Sequence, residues 1–304
     1  MKPYSRKQFV QTAAMAVAAT IGLSAFDFRK KLTKLSFSTL GCPDWSIQQI
    51  AEFALKNGYT GIEVRGIQRE MDLPKCKEFN SADARKATLK LMKDHNLQFI
   101  NLGSSATLHF ADPATRSKNI EDGKRFIDLA QQLDCPYIRV FPNNFPKEQE
   151  KQQTMDLIST GLVELADHAK GSKVKVLMET HGDLVRTADI VQVMEAANHP
   201  GTGLIWDVSN MWTITKEAPA DVYPKLKKYI YHLHVKDAKL VDDKPQYVFL
   251  GKGDVPIMNA LDILNADGYK GFYSFEWEKL WHPEIAEPEL ALADYPVAIK
   301  SHFK

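Results

Sequence analysis

Four apolar runs in the second half of the chain each end on groups that bind metal ions or carry protons. Lys175-Val176-Leu177-Met178 runs into Glu179 and His181, Gly203-Leu204-Ile205-Trp206 into Asp207, Tyr229-Ile230-Tyr231 into His232 and His234, and Phe272-Tyr273-Ser274-Phe275 into Glu276 and Glu278. Side chains two apart on a strand share one side, so each pair offers two donors to the same space. Taken singly, each has an ordinary structural role: Asp207 as an N-cap, His232 as a packed histidine, a lone Glu as a solvated loop residue. Four successive runs delivering a donor at the same end point instead to a shared site. Three carboxylates with one imidazole form a hard, oxygen-rich set for one divalent ion. Mn²⁺ is the leading fit, with Mg²⁺, Co²⁺ and Zn²⁺ as others.

Such donors must be carried by strands that end on a common face. From residue 35 onward the chain repeats a short β-branched or aromatic run, a turn and a longer segment of helical spacing. Strands are expected at 35–42, 59–66, 97–104, 137–142, 174–181, 203–209, 230–236 and 271–278, with helices between them such as Ile47–Asn57, 82–96, 116–133, 154–170, 188–197 and Ile257–Ala266. In the first helix Ile47, Ile50, Ala51, Ala54 and Leu55 form one apolar stripe. Strict alternation implies a parallel sheet, and eight units over about 270 residues predict an α/β fold, the (β/α)8 TIM barrel, as one domain spanning 35–304. No GxGxxG follows the first strand and no GxxxxGK[ST] occurs, which removes support for a nucleotide-binding open sheet. Two non-periodic stretches, 68–79 and 239–253, follow strands and so belong to the face where barrel active sites form.

Composition narrows the function classes. The 304 residues are 44% hydrophobic, and 39 Lys+Arg against 38 Asp+Glu give a formal charge of +1, which argues against nucleic-acid binding through a basic face. Cys42, Cys76 and Cys135 lie far apart without metal-type spacing, so neither a disulfide framework nor a structural zinc is expected. Residues 1–26 have the layout of an export signal: Lys2, Arg6 and Lys7 precede an acid-free, mostly apolar run rich in alanine. Ser5-Arg6-Lys7-Gln8-Phe9-Val10 is similar to a twin-arginine signal with Lys in the second position. Removal near Ser24-Ala25 takes the formal charge to −2, leaves no stable membrane span and implies a periplasmic protein.

The chain from about Leu35 resembles the sugar phosphate isomerase/epimerase group with the xylose isomerase-like TIM barrel. The resemblance rests on Gly61-Ile62-Glu63-Val64-Arg65, Met178-Glu179-Thr180-His181, Trp206-Asp207-Val208-Ser209-Asn210, His232-Leu233-His234-Val235-Lys236-Asp237, Gly251-Lys252-Gly253-Asp254 and Phe275-Glu276-Trp277-Glu278. It implies that Glu179, Asp207, His234 and Glu276 hold one divalent metal, and that His232 supports or packs. Members often carry His three residues after the Asp; this chain has Asn210.

The resemblance also implies proton movement beside a carbonyl, with Glu179 and Glu276 on strands roughly opposite each other as catalytic carboxylates acting on a small-molecule carbohydrate. The same enolate in a 3-keto-glycoside would expel the C1 substituent, making the enzyme a lyase; His181, His109, Lys236 or Glu278 would then assist the leaving group. A metal-dependent apurinic endonuclease and a non-catalytic sugar-binding protein are the other classes. Position names the substrate-binding candidates: Glu63, Arg65, Asn101, His109, Arg139, His181, Asn210 and Lys236. Arg139 has an interstrand ion pair as its alternative role. Trp45, Trp212, Trp277 and Trp281 follow strand ends, where aromatic faces stack on sugars, although Trp277 reads better as core. The sequence carries no signal for an oligomeric state.

Overall fold

The computed structural model describes residues 34–304, so the expected export segment lies outside the described residues. Eight strands close a parallel barrel: β1 (Lys34–Ser38), β2 (Gly61–Val64), β3 (Gln98–Thr107), β4 (Tyr137–Phe141), β5 (Lys175–Glu179), β6 (Thr202–Asp207), β7 (Ile230–Val235) and β10 (Phe272–Phe275), in ring order β1-β10-β7-β6-β5-β4-β3-β2. Between β7 and β10 the chain adds an antiparallel hairpin, β8 (Asp237–Val241) and β9 (Lys244–Val248). The outer helices are α1 (Ile47–Asn57), α2 (Ala82–Asp94), α3 (Pro113–Gln132), α4 (Lys151–His168), α5 (Thr187–Ala196), α6 (Val208–Thr215), α7 (Pro219–Leu226), α8 (Ile257–Ala266) and α9 (Pro288–His302). No helix among the described residues is long and apolar enough to cross a membrane.

Local chemistry explains the boundaries. Strands β2, β6 and β10 are buried throughout, as barrel strands covered on both faces must be. Helix α1 opens on a capping box between Ser46 and Gln49 and stops at Gly58, whose φ of 78° is open to glycine at little cost. Its stripe is narrower than expected: Ile50, Ala51 and Ala54 are buried, whereas Leu55 is 48% exposed.

Three expected strands run shorter because their last residues turn to other partners. At Thr39 the chain enters a short 3-10 turn, where the hydroxyl accepts the N–H groups of Arg65 and Gly66 and donates to the Gly66 carbonyl. Strand β6 ends at Asp207, which N-caps α6 through Oδ1 to the Asn210 N–H at 2.8 Å. Strand β10 ends at Phe275, and the Glu276 N–H still donates to the Val235 carbonyl, keeping Glu276 level with the end of β7.

The hairpin grows from a clamp at its root. Asp237 is 1% exposed; its Oδ1 accepts the Ala238 N–H, and its Oδ2 accepts those of Gly251 and Gly253, each at 2.9 Å. A Cβ on Gly253 would lie 2.1 Å from Asp237 Oδ1, so only glycine fits there. The sequence pieces ending in Lys236-Asp237 and beginning Gly251-Lys252-Gly253 are thus two halves of one joint.

Candidate metal centre and active site

Four strand ends bring Glu179, Asp207, His234 and Glu276 together, each at most 3% exposed, with one donor atom from each lying within 4.8 Å of the others. His234 Nδ1 lies 3.2 Å from Glu276 Oε1, 3.7 Å from Glu179 Oε1 and 3.8 Å from Asp207 Oδ2. Bonds of about 2.1 Å to a shared ion separate donor atoms by roughly 3–4 Å, the spacing His234 shows to all three carboxylates. His234 Nδ1 and Asp207 Oδ2 are both buried without a hydrogen-bond partner, the condition expected of atoms reserved for an ion. The donor set therefore fits one divalent metal. Asp207 performs both roles read from its sequence position, capping α6 with one oxygen and facing the cluster with the other.

Beyond these four atoms the site is a network of opposite charges. Each glutamate turns Oε1 toward His234 and Oε2 toward a cation: Arg139 Nη1 donates to Glu179 Oε2 at 3.1 Å, and Lys236 Nζ donates to Glu276 Oε2 at 2.7 Å. Burial and Glu276 push the Glu179 carboxyl up, but Arg139 and His234 outweigh them and leave it lowered. For Glu276, burial is outweighed by His234 and Lys236, which hold it well below the usual carboxylate range. Burial would strip His234 of its charge, yet Glu276, Glu63 and Glu179 raise it well above the ordinary imidazole value.

Several candidates for substrate binding are engaged with partners inside the protein. Glu63 is fully buried and commits its carboxylate to two rings, with His232 Nε2 at 2.8 Å from Oε2 and His234 Nε2 at 3.0 Å. It holds the back of the histidine pair. Lys236 lies inside the carboxylate cluster, 2.9 Å from Asp207 Oδ2 and 2.5 Å from Glu278 Oε1. Arg139 adopts the interstrand ion pair, with Nη2 also donating to the Ser104 carbonyl at 3.0 Å and its guanidinium 4.0 Å from the Phe141 ring centroid. Asn210 Nδ2 donates to Glu179 Oε1 at 3.2 Å and to the Thr180 carbonyl at 3.3 Å, so an amide steadies the glutamate.

The remaining candidates divide by their free atoms. Arg65 spends Nη1 on the Gly103 carbonyl and Nη2 on Ser105 Oγ; burial and the neighbouring Arg139 push it down to about 9, leaving it cationic at neutral pH. Asn101 is 0% exposed, and both amide atoms lack partners. His109 and His181 each keep Nδ1 unpartnered, and the His181 ring packs against Phe141 at 4.7 Å. Trp277 is core, with Nε1 donating to the Ala286 carbonyl, whereas Trp281 is 55% exposed. Glu179 and Glu276 stand three strands apart in a ring of eight where four is directly opposite, in keeping with the roughly opposed placement expected.

Tyr247 was missed by sequence reasoning. It sits on β9 and donates its hydroxyl to Glu278 Oε1 at 3.0 Å, while the His282 ring meets its ring edge-on at 5.0 Å. The only signal was that its segment follows a barrel strand.

Comparisons with known proteins accord with this geometry. The profile described as xylose isomerase-like TIM barrel matches residues 51–294. Inosose isomerase of Halalkalibacterium halodurans is 25% identical over 243 residues, covering 77% of this chain and 82% of that protein. The 3-dehydroshikimate dehydratase of Bacillus anthracis is 24% identical over 236 residues, covering 73% and 79%. Among solved structures, IolI protein with bound zinc superposes with a TM-score of 0.73 at 18% identity, covering 89% of this chain and 97% of that one. The 3-keto-D-glucoside 4-epimerase of E. coli superposes with a TM-score of 0.71 at 13% identity, covering 89% and 100%.

Proposed function

The chain belongs to the xylose isomerase-like TIM barrel family, and from that premise we propose that it is a divalent-metal-dependent enzyme that moves a proton at the carbon beside a carbonyl of a carbohydrate. The observation that carries this reading is the pairing of each glutamate with one cation on Oε2 and the shared His234 on Oε1. The curated relatives, an isomerase and a dehydratase, support an enzyme of this superfamily that modifies sugars and related ring compounds.

Bound at Glu179, Asp207, His234 and Glu276, a divalent ion would supply Lewis-acid polarisation of the substrate carbonyl. The chain's own groups do the rest. Glu179 and Glu276 are kept ionised by their cations and are the bases available to take the proton. One of them removes it from the α-carbon, leaving the electron pair in an enediolate, and a proton returned to carbon completes isomerisation or epimerisation. Arg139 and Lys236, each at most 2% exposed, stabilise negative charge in a site poor in water. Mn²⁺ is the first choice for the ion, because three carboxylates and one imidazole favour a hard cation.

A second outcome has its own support: one relative is a dehydratase and one structural neighbour is an epimerase of a 3-keto-glucoside. In a 3-keto-glycoside the same enediolate would expel the C1 substituent, making the enzyme a lyase. An exported protein would meet such free or glycosidic sugars in the periplasm.

The test is NMR in D₂O with Mn²⁺-loaded protein, the ion being removed before recording, on free ketoses and 3-keto-glycosides. Deuterium at the α-carbon is expected, and release of the C1 substituent would assign the lyase outcome. Glu179→Gln and Glu276→Gln should each lower the rate by about 10²–10⁴-fold. Full rates in both variants with metal bound would overturn the proposal.

A further inference from the structure

Lys236 Nζ stands among three carboxylates, and only two of them take an aligned hydrogen bond from it. Its Nζ lies 2.9 Å from Asp207 Oδ2, 2.7 Å from Glu276 Oε2 and 2.5 Å from Glu278 Oε1, in a side chain 2% exposed. The contact with Asp207 Oδ2 is an ion pair without hydrogen-bond alignment, since that oxygen has no hydrogen-bond partner. The same oxygen faces His234 Nδ1 at 3.8 Å and is the atom Asp207 offers the cluster, because Oδ1 caps α6. An ammonium and a divalent cation both drawn to one carboxylate oxygen repel each other strongly in a site shielded from water. Glu278 already accepts a hydrogen bond from the ammonium and can keep it when Asp207 Oδ2 is given up. Its carboxylate lies on the far side of Glu276 in sequence, its side chain is 15% exposed, and its Oε1 is fixed by the Tyr247 hydroxyl at 3.0 Å.

We propose that Lys236 is an internal cation that competes with the metal ion for Asp207 Oδ2, and that Glu278, held by Tyr247 of the hairpin, is the seat to which it retires when the ion binds. The idea rests on the metal dependence proposed above. Lys236 would neutralise the clustered carboxylates before metal arrives, and Glu278 would lower the cost of moving it aside. Tyr247 acts through Glu278 and is a positioning residue.

Mn²⁺ affinity measured by titration calorimetry on the full chain tests this without any turnover assay. Lys236→Met should tighten binding by about tenfold, and Glu278→Gln should weaken it by about tenfold. In the Lys236→Met background, Glu278→Gln should change affinity by less than about twofold, because the seat has nothing left to hold. Effects that simply add would mean a fixed background charge and overturn the proposal, as would a Lys236→Met protein that binds Mn²⁺ no better than wild type. Lys236→Gln replaces the Met variant should that one not fold. Wild-type protein that binds no divalent ion overturns this proposal together with metal dependence, whereas absent α-proton exchange with intact binding leaves it standing.

Discussion

Glu63 and His234 stand back to back across the barrel interior: the carboxylate Oε2 lies 3.0 Å from Nε2, while Nδ1 of the same ring faces Glu179, Asp207 and Glu276. With Nε2–H donated to Glu63, Nδ1 is the nitrogen left for an ion, the arrangement that orients metal-binding histidines generally. Burial raises the Glu63 carboxyl, but His234 and His232 outweigh it and keep it ionised. Glu63→Gln should therefore weaken Mn²⁺ binding by about 10–100-fold while the barrel stays folded. Calorimetric affinity equal to wild type would remove Glu63 from the metal's support.

Asn210 should matter through Glu179 rather than through the ion. Asn210→Ala deletes the donor 3.2 Å from Glu179 Oε1. Loss of about 1 kcal/mol of orientation predicts a kcat roughly fivefold lower, with Mn²⁺ affinity little changed. A variant with wild-type kcat would show that the amide is a bystander.

Asp237→Ala leaves three N–H groups without their acceptor: those of Ala238, Gly251 and Gly253. Deuterium exchange should accelerate across residues 237–254 and stay unchanged in the barrel strands. The expected stability cost is about 1–3 kcal/mol. Uniform acceleration over the whole barrel would mean that the clamp holds more than the hairpin.

In metal-free protein, Glu179 and Glu276 both have folded-state values below the ordinary carboxylate range, since their cations outweigh burial. A depressed carboxylate contributes stability that is complete above its unfolded value and is lost as pH falls through the folded one. The Tm of chelator-treated protein should hold steady down to about pH 5 and decline below it. Glu276→Gln should flatten that decline. A wild-type Tm that climbs on acidification would reverse the assigned sign.

Much of the architecture was legible because parallel strands buried on both faces read as unbroken apolar runs, and because donors at their ends mark one rim of a barrel. That logic finds the four strand ends, while the choice of Glu179, Asp207, His234 and Glu276 among the donors there rests on the family resemblance. Contacts across the ring were not legible. Glu63 and His234 are 171 positions apart, and nothing local distinguishes a carboxylate that binds substrate from one that braces a histidine. Tyr247 was hidden because an antiparallel hairpin of Asp, Lys, Pro and Gln at the rim carries no periodicity in the sequence. The short helix α7 was obscured by Pro219 and Pro224.

The joint between Asp237 and Gly253 does for the hairpin what a hem does for cloth. With both edges tied off at one buried carboxylate, replacing or lengthening the hairpin tip at residues 241–244 puts no torque on β7 or on the four donors and leaves Tyr247 on Glu278. A lineage could therefore trial new rims for new sugars at little risk to its chemistry, and a protein engineer could graft loops at the same place for the same reason.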